Sequence, residues 1–209
     1  MFFDFDGVLV ESLNIKIAAF RDIYAAHGPD VVANVLAHHR EHGGISRVVK
    51  IRDCHRMFLG IELANDELTA LATHYAEYVE EAVCRCDAVP GADDLLRANT
   101  DARRLYVVSG TPQPELRRIT DRRGLTGYFE AVYGSPRGKV EIVNEELARL
   151  GVVPVDALFV GDAMTDYRAA CDTGVPFVGR VVAGHGNPFP AGTVTVDDMS
   201  GLAALLRPV

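Results

Sequence analysis

The 209-residue chain contains no run of about 18 apolar residues, which argues against a helical membrane span. Its first residues lack a basic segment leading into an apolar run and a small-residue cleavage site. Secretion is therefore not expected, and a cytoplasmic location is. Basic charge is in short supply: 21 Lys and Arg stand against 29 Asp and Glu, for a formal net charge of −8. A chain of that balance has no general attraction for nucleic acid or an anionic membrane. An anionic substrate would need a local positive site. Cysteine is scarce too. Cys54, Cys84, Cys86 and Cys171 include no C-x-x-C pair, so no zinc arrangement is suggested and reduced, mostly buried thiols are expected. There is no internal repeat, no low-complexity segment and no long coiled coil to demand assembly, so a monomer or weak homodimer is expected.

What remains is ordinary globular material, 48% hydrophobic and 24% charged, long enough for one sizeable core or a core with a small accessory domain. From Ser12 to about Cys86 the apolar periodicity is helical. Leu13, Ile17, Phe20, Ile23 and Tyr24 form the first apolar face. A second helix is expected over 30–42, stopped by Gly43-Gly44, and a third from Ser46 to Gly60. A fourth, capped at Asn65 with acids in its first turn, runs through Val83. After Val89-Pro90-Gly91 the style changes. Strands expected at 105–108, 129–133, 158–160, 176–178 and 193–196 alternate with helices. The alternation predicts an α/β fold: a Rossmann-like parallel sheet with helices on both faces, built from 1–12 and 87–209, plus an inserted all-helical cap domain over 13–86. Such sheets carry their sites beyond the carboxyl ends of the strands.

The opening stretch Met1-Phe2-Phe3-Asp4-Phe5-Asp6-Gly7-Val8-Leu9-Val10 reads as a buried strand ending in two acids and a glycine. Only three residues precede Asp4, which is short for a central strand. Buried carboxylates without compensation would be protonated or strongly disfavoured. A divalent cation compensates them, and hard oxygen ligands suit Mg²⁺. The alternative is a plain Asp-Gly turn. Other expected strand ends offer Ser109, Gly110 and Thr111, then Asp162 with Asp166 four residues on, while Lys139 lies near the start of the helix after the expected strand 129–133. Singly, Ser109 reads as a helix cap, Lys139 as a solvated lysine, and Asp162 and Asp166 as helix N-terminal acids. Jointly they place four acids, a hydroxyl and a cation on one sheet edge.

In that order the motifs Asp4-Phe5-Asp6-Gly7-Val8, Val108-Ser109-Gly110-Thr111, Lys139 and Gly161-Asp162-Ala163-Met164-Thr165-Asp166 resemble the haloacid dehalogenase superfamily of aspartyl phosphotransferases. The resemblance covers nearly the whole chain, helical cap included. It implies that Asp4 is the nucleophile forming an aspartyl-phosphate and that Asp6 is general acid and base. It implies Mg²⁺ held by Asp4, the backbone carbonyl of Asp6, Asp162 and Asp166. Ser109, with Gly110 and Thr111, would bind a phosphoryl oxygen, and Lys139 would neutralise charge there. An aspartate at position 6 is what the superfamily's phosphatases and phosphosugar mutases carry. Its dehalogenases and phosphonate-cleaving members lack one. A phosphatase of a small phosphorylated metabolite is therefore expected, a sugar phosphate or phosphoglycolate-like molecule. A phosphosugar mutase and a catalytically silent binding module are the alternatives.

The insert should close over the sheet edge and contact the leaving group. Its loop His42-Gly43-Gly44-Ile45-Ser46-Arg47-Val48-Val49-Lys50 is expected to bring Arg47 and Lys50 against an anionic substrate. His38, His39, His42 and His55 lack a carboxylate or cysteine at ligand spacing, so exposed histidines on a polar helix face are expected.

Overall fold

A computed structural model of the chain describes residues 1–99 and 102–206. The strands are β1 (Phe2–Phe3), β2 (Tyr106–Pro112), β3 (Ala131–Ser135), β4 (Phe159–Gly161), β5 (Phe177–Arg180) and β6 (Thr195–Val196). They form one parallel sheet in the order β3-β2-β1-β4-β5-β6. This is the expected α/β architecture. The helices are α1 (Leu13–Tyr24), α2 (Pro29–Glu41), α3 (Arg47–Cys54), α4 (Asn65–Arg85), α5 (Ala92–Asn99), α6 (Gln113–Arg122), α7 (Lys139–Leu150), α8 (Met164–Thr173) and α9 (Met199–Leu205).

Side chains alternate across a strand, so each buried strand feeds two cores. Phe3, Val107, Val160 and Val178 point to one face and join Leu95, Leu96, Leu116, Ile119, Met199 and Leu202 from the covering helices. Phe2, Tyr106, Val108 and Phe159 point to the other and meet Ile142, Val143, Leu147 and Ala170 of α7 and α8. The chain moves outward through β1, β2 and β3, then returns to β4 beside β1. That reversal opens a crevice at the carboxyl ends of β1 and β4, the usual place for a ligand in an open α/β sheet.

The segment between β1 and β2 supplies α1 to α4. Here α1 packs on α2 and α4, and α3 packs on α4. The two chain passages that leave and re-enter the sheet run side by side: Val10 bridges Ala88, Glu11 N donates to Asp87 O (3.0 Å), and Val89 N donates to Leu9 O (3.1 Å).

Several local expectations are corrected. The opening strand is two residues long, because after Phe3 the backbone leaves the ladder and folds on itself, with Gly7 N donating to Val10 O at 2.9 Å. Strand β2 runs on to Pro112, and β3 starts two residues later than expected, since its ladder partners on β2 begin at Tyr106. The third expected helix changes winding after Cys54, with a π-type turn over His55–Leu59. Asn65 does not cap α4; Glu67 reaches back to the amide of Ala64 (2.9 Å). Of the cysteines only Cys54 is buried; Cys84 and Cys86 are partly exposed and Cys171 is exposed. The histidines also depart from the expected polar face. His38, His39 and His42 are half-buried where α2 meets α3 and the loop after α2, and His55 is buried with Nδ1 2.8 Å from the Tyr24 hydroxyl.

Candidate active site

Three elements converge on Asp4. The carboxylate leaves the end of β1 and its Oδ1 accepts the amide of Phe5 (2.7 Å). From the loop after β4 comes Asp162, and from the first turn of α8 comes Asp166, whose Oδ2 accepts the Ala163 amide (3.1 Å). One carboxylate oxygen from each of Asp4, Asp162 and Asp166 lies within 4.8 Å of the others. Lys139, the first residue of α7, reaches in with Nζ 3.1 Å from Asp4 and 2.5 Å from Asp166. Burial opposes the lysine's charge, but Asp166 and Asp4 outweigh it and hold its pKa above the ordinary lysine value. Burial together with Asp4 and Asp166 pushes Asp162 well up. Asp166 rises to about 6, through burial and Asp4 against the opposing pull of Lys139.

Three acids facing one ammonium leave an excess of negative charge in a buried place. That donor set, all hard carboxylate oxygen, fits a small divalent cation of the Mg²⁺ type. Gly7 makes the approach possible: its φ is +70°, and a β-carbon there would sit 2.5 Å from Oδ2 of Asp162.

Asp6 takes no part in this triad. Its carboxylate turns toward the helical segment, accepting the hydroxyls of Ser12 (2.6 Å) and Thr111 (2.8 Å) and an ion pair from Lys16 of α1. Burial alone would raise its pKa; Lys16, Ser12 and Thr111 reverse that and hold it below the usual carboxylate range. Lys16 also donates to Thr111 Oγ1 (3.0 Å). Ser109 Oγ accepts the Thr111 amide (3.2 Å) and stands 3.5 Å from Asp6. Sequence reasoning singled out Ser109, Gly110 and Thr111; it missed Lys16, whose partner is ten residues away and visible only once α1 is docked.

The loop between α2 and α3 lies directly over this edge. Thr165 Oγ1 donates to Gly43 O (2.8 Å). Gly44 packs so closely on Gly110 and Thr165 that a β-carbon at position 44 would strike the threonine hydroxyl and one at 110 the Gly44 carbonyl. Beneath it is a cavity of about 430 Å³, within the range of small-molecule sites. Asp4, Asp6, Ser109 and Asp162 of the sheet edge line it together with Lys16, His39, Arg47 and Lys50 of the helical segment. Both cap cations named from sequence therefore border the same space. They differ in occupation. The Arg47 guanidinium is held by Glu115 of α6 and lies 4.8 Å from the Tyr75 ring centre, whereas among the described residues the nitrogen of Lys50 hydrogen-bonds only His39.

Arg180 is a second residue that sequence reasoning missed. It ends β5, and its guanidinium binds Gly7 O (2.9 Å), Glu11 (2.6 Å) and Asp197 O (3.1 Å), fastening the turn after β1 to the sheet.

Comparison with known proteins places this arrangement. Residues 1–172 match the haloacid dehalogenase-like hydrolases. The chain belongs to that family. Among curated relatives, "Tyrosine-protein kinase PtkA" of Mycobacterium tuberculosis is 27% identical over 88% of this chain, which spans 61% of the relative's own length. "Phosphoglycolate phosphatase 1" of Pseudomonas aeruginosa is 25% identical over 96% of this chain and 76% of its own. In fold, β-phosphoglucomutase from Clostridium difficile matches with a TM-score of 0.76 at 19% identity, covering 96% of this chain and 91% of that one. YfnB from Bacillus subtilis, a putative HAD-hydrolase bound to magnesium, matches with 0.73 at 16% identity, covering 98% and 96%. Among the described residues no helix is long and apolar enough to cross a membrane.

Proposed function

We propose that the protein is a Mg²⁺-dependent phosphatase of a small phosphorylated metabolite, working through an aspartyl-phosphate on Asp4. The observation that carries this reading is the Asp4–Asp162–Asp166 cluster, with Lys139 paired to Asp4 and Asp166, beside a cavity that Lys16, Arg47 and Lys50 also line. The family membership and the relative's printed name, phosphoglycolate phosphatase, support it. Asp4, Asp162, Asp166 and the backbone carbonyl of Asp6 would hold the metal, which when bound supplies charge neutralisation between nucleophile and phosphoryl oxygens.

In the first half-reaction an oxygen of Asp4 attacks phosphorus and the bond to the leaving oxygen breaks. Asp6 gives that oxygen its proton. Lys139 tempers the negative charge beside the attacking carboxylate, while the Ser109 hydroxyl and the Gly110 amide bind phosphoryl oxygen. In the second half-reaction water attacks the aspartyl-phosphate, Asp6 accepts the water's proton, and orthophosphate leaves as Asp4 is regenerated. The ionised Asp6 described above is ready for this second step. Before the first, its ion pair with Lys16 must open so that it can carry a proton.

The test is a screen for orthophosphate release with Mg²⁺ across phosphorylated sugars, nucleotides and short acids, with Asp4→Asn as control. Hydrolysis that survives Asp4→Asn overturns the mechanism. Return of the phosphoryl group to a sugar, in place of orthophosphate release, would make the protein a mutase.

A further inference from the structure

Three strand ends meet at Gly7. Gly161 of β4 pairs with Gly179 of β5, so Asp162 and Arg180, each one residue further along, occupy neighbouring positions at the carboxyl end of the sheet. The turn after β1 runs between them. On one side the Gly7 backbone rests against Asp162, so closely that a β-carbon there would lie 2.5 Å from Oδ2 of that acid. On the other, the Gly7 carbonyl accepts Nη1 of Arg180 (2.9 Å). The same guanidinium forks onto the Glu11 carboxylate (2.6 and 3.1 Å) and donates through Nε to Asp197 O (3.1 Å). These four bonds occupy four of the five N–H groups of an arginine, and the residue is 5% exposed. Arg180 borders the cavity, yet it has little left to offer a ligand.

What it holds is backbone. Arg180 grips both ends of the turn, Gly7 and Glu11, and Glu11 opens the passage into the helical segment, its amide donating to Asp87 O (3.0 Å). An ion pair taken out of water contributes little net stability compared with apolar packing, so stability alone does not account for the arrangement. Its geometry does. We propose that Arg180 is a positioning residue for the carboxylate triad. By holding the Gly7 carbonyl from β5 it keeps the turn after β1 pressed on Asp162, and so keeps Asp4, Asp162 and the Asp6 backbone at the spacing a divalent cation requires. Supporting groups of this kind orient metal ligands, and losing one typically costs about 10- to 100-fold in metal affinity. The inference rests on the Mg²⁺ site of the reading above, and on neither its substrate nor its phosphoryl chemistry.

The experiment titrates Mg²⁺ into the folded protein by calorimetry, for wild type, Arg180→Met, Arg180→Lys and Glu11→Gln. Arg180→Met should weaken Mg²⁺ binding by about tenfold or more. Arg180→Lys keeps a cation beside Glu11 but replaces the fork with one nitrogen, and should lose a smaller part, about threefold. Glu11→Gln leaves the bond to Gly7 in place and should bind Mg²⁺ as wild type does. Where a phosphate ester is hydrolysed, the Mg²⁺ concentration for half-activation should rise in the same order, with KM for the ester within about twofold of wild type. A merely structural arginine would change the melting temperature and leave the Mg²⁺ affinity of the folded protein where it was. Wild-type affinity in Arg180→Met overturns the proposal, as does wild-type affinity in Arg180→Lys should the methionine variant not fold. A loss in Glu11→Gln equal to that in Arg180→Met also overturns it, since the ion pair and not the Gly7 carbonyl would then be the cause. No Mg²⁺ binding by wild type removes the proposal together with the metal site. Should no ester be hydrolysed, the calorimetry alone decides: weakened binding in the arginine variants upholds Arg180 and removes only the phosphatase reading.

Discussion

The floor and the roof of the cavity solve opposite electrostatic problems. On the sheet edge, the carboxylates of Asp4, Asp162 and Asp166 crowd together while the Lys139 ammonium pairs with Asp4 and Asp166, and the shortage is of positive charge. On the helical wall, Lys16 pairs with Asp6 and Arg47 with Glu115, while Lys50 has no ion pair among the described residues, and the shortage is of negative charge. A metal ion would balance the first and an anionic ligand the second. Neither half is electrostatically complete by itself, which is why binding, catalysis and closure are expected to be coupled here.

The largest effect comes from breaking the floor. Asp4→Asn should lower hydrolysis by roughly 10³-fold or more, checked by orthophosphate release under saturating Mg²⁺. Next is Lys139→Met, which leaves Asp4 and Asp166 buried without their cation. Without added metal it should cost roughly 3–5 kcal/mol of stability, and Mg²⁺ should restore more of the melting temperature in this variant than in wild type. An unchanged thermal midpoint in metal-free buffer would contradict the charge imbalance.

A third change separates floor from roof. Gly110→Val places a side chain against the Gly44 carbonyl, so the loop over the site cannot seat. A misplacement of about 1 Å can reduce turnover by roughly a hundredfold, and a loss of that order in kcat/KM with near-native melting is expected. Wild-type kinetics would show that the contact is incidental.

The smallest effect is read as stability against pH. The folded pKa of Lys50 is brought to about 7 by burial first and Lys16 second. Its neighbours in charge are Lys16 on α1, His39 on α2, Cys54 on α3, and Asp6 and Asp162 on the sheet edge. An unfolded lysine titrates near about 10.4. Between those values the unfolded chain binds more protons, so the Lys50 contribution raises stability as pH climbs from 7 toward 10, and its cost is full below 7. Lys50→Met should flatten that rise and stabilise the protein at pH 6 by about 2 kcal/mol. Urea midpoints at pH 6 and pH 9 would measure it. An unaltered slope, or a destabilised variant, would mean that Lys50 already has a partner.

Much of the sheet edge was legible in the chain because its chemistry is local to strand ends. A carboxylate at the end of a Phe-rich strand, a Ser-Gly-Thr after Val107-Val108, and a Gly-Asp after Phe159-Val160 each announce an interruption of a buried run by polar groups. Parallel pairing then brings such ends together without further information. The helical wall was less legible. Arg47 and Lys50 look alike in sequence, three positions apart, yet one is neutralised by Glu115 and the other meets His39 with no ion pair among the described residues. Lys16 reads as an ordinary helix-surface lysine until α1 lies against Asp6 and Thr111. The half-buried histidines were misread for the same reason, since burial at a helix junction depends on where the neighbouring helix lies.

By itself, the order of residues determined the alternation of strands and helices, the acids at the strand ends and the family. Those follow from hydrophobic periodicity and from short-range spacing along the chain. Tertiary structure alone decided that Asp6 turns from the carboxylate triad toward Lys16, that Gly44 rests on Gly110, and that Lys50, buried beside His39, has no ion pair among the described residues. These are contacts between segments tens of residues apart, and their electrostatics depend on distance in space and on exclusion from water, neither of which is written in the spacing of residues.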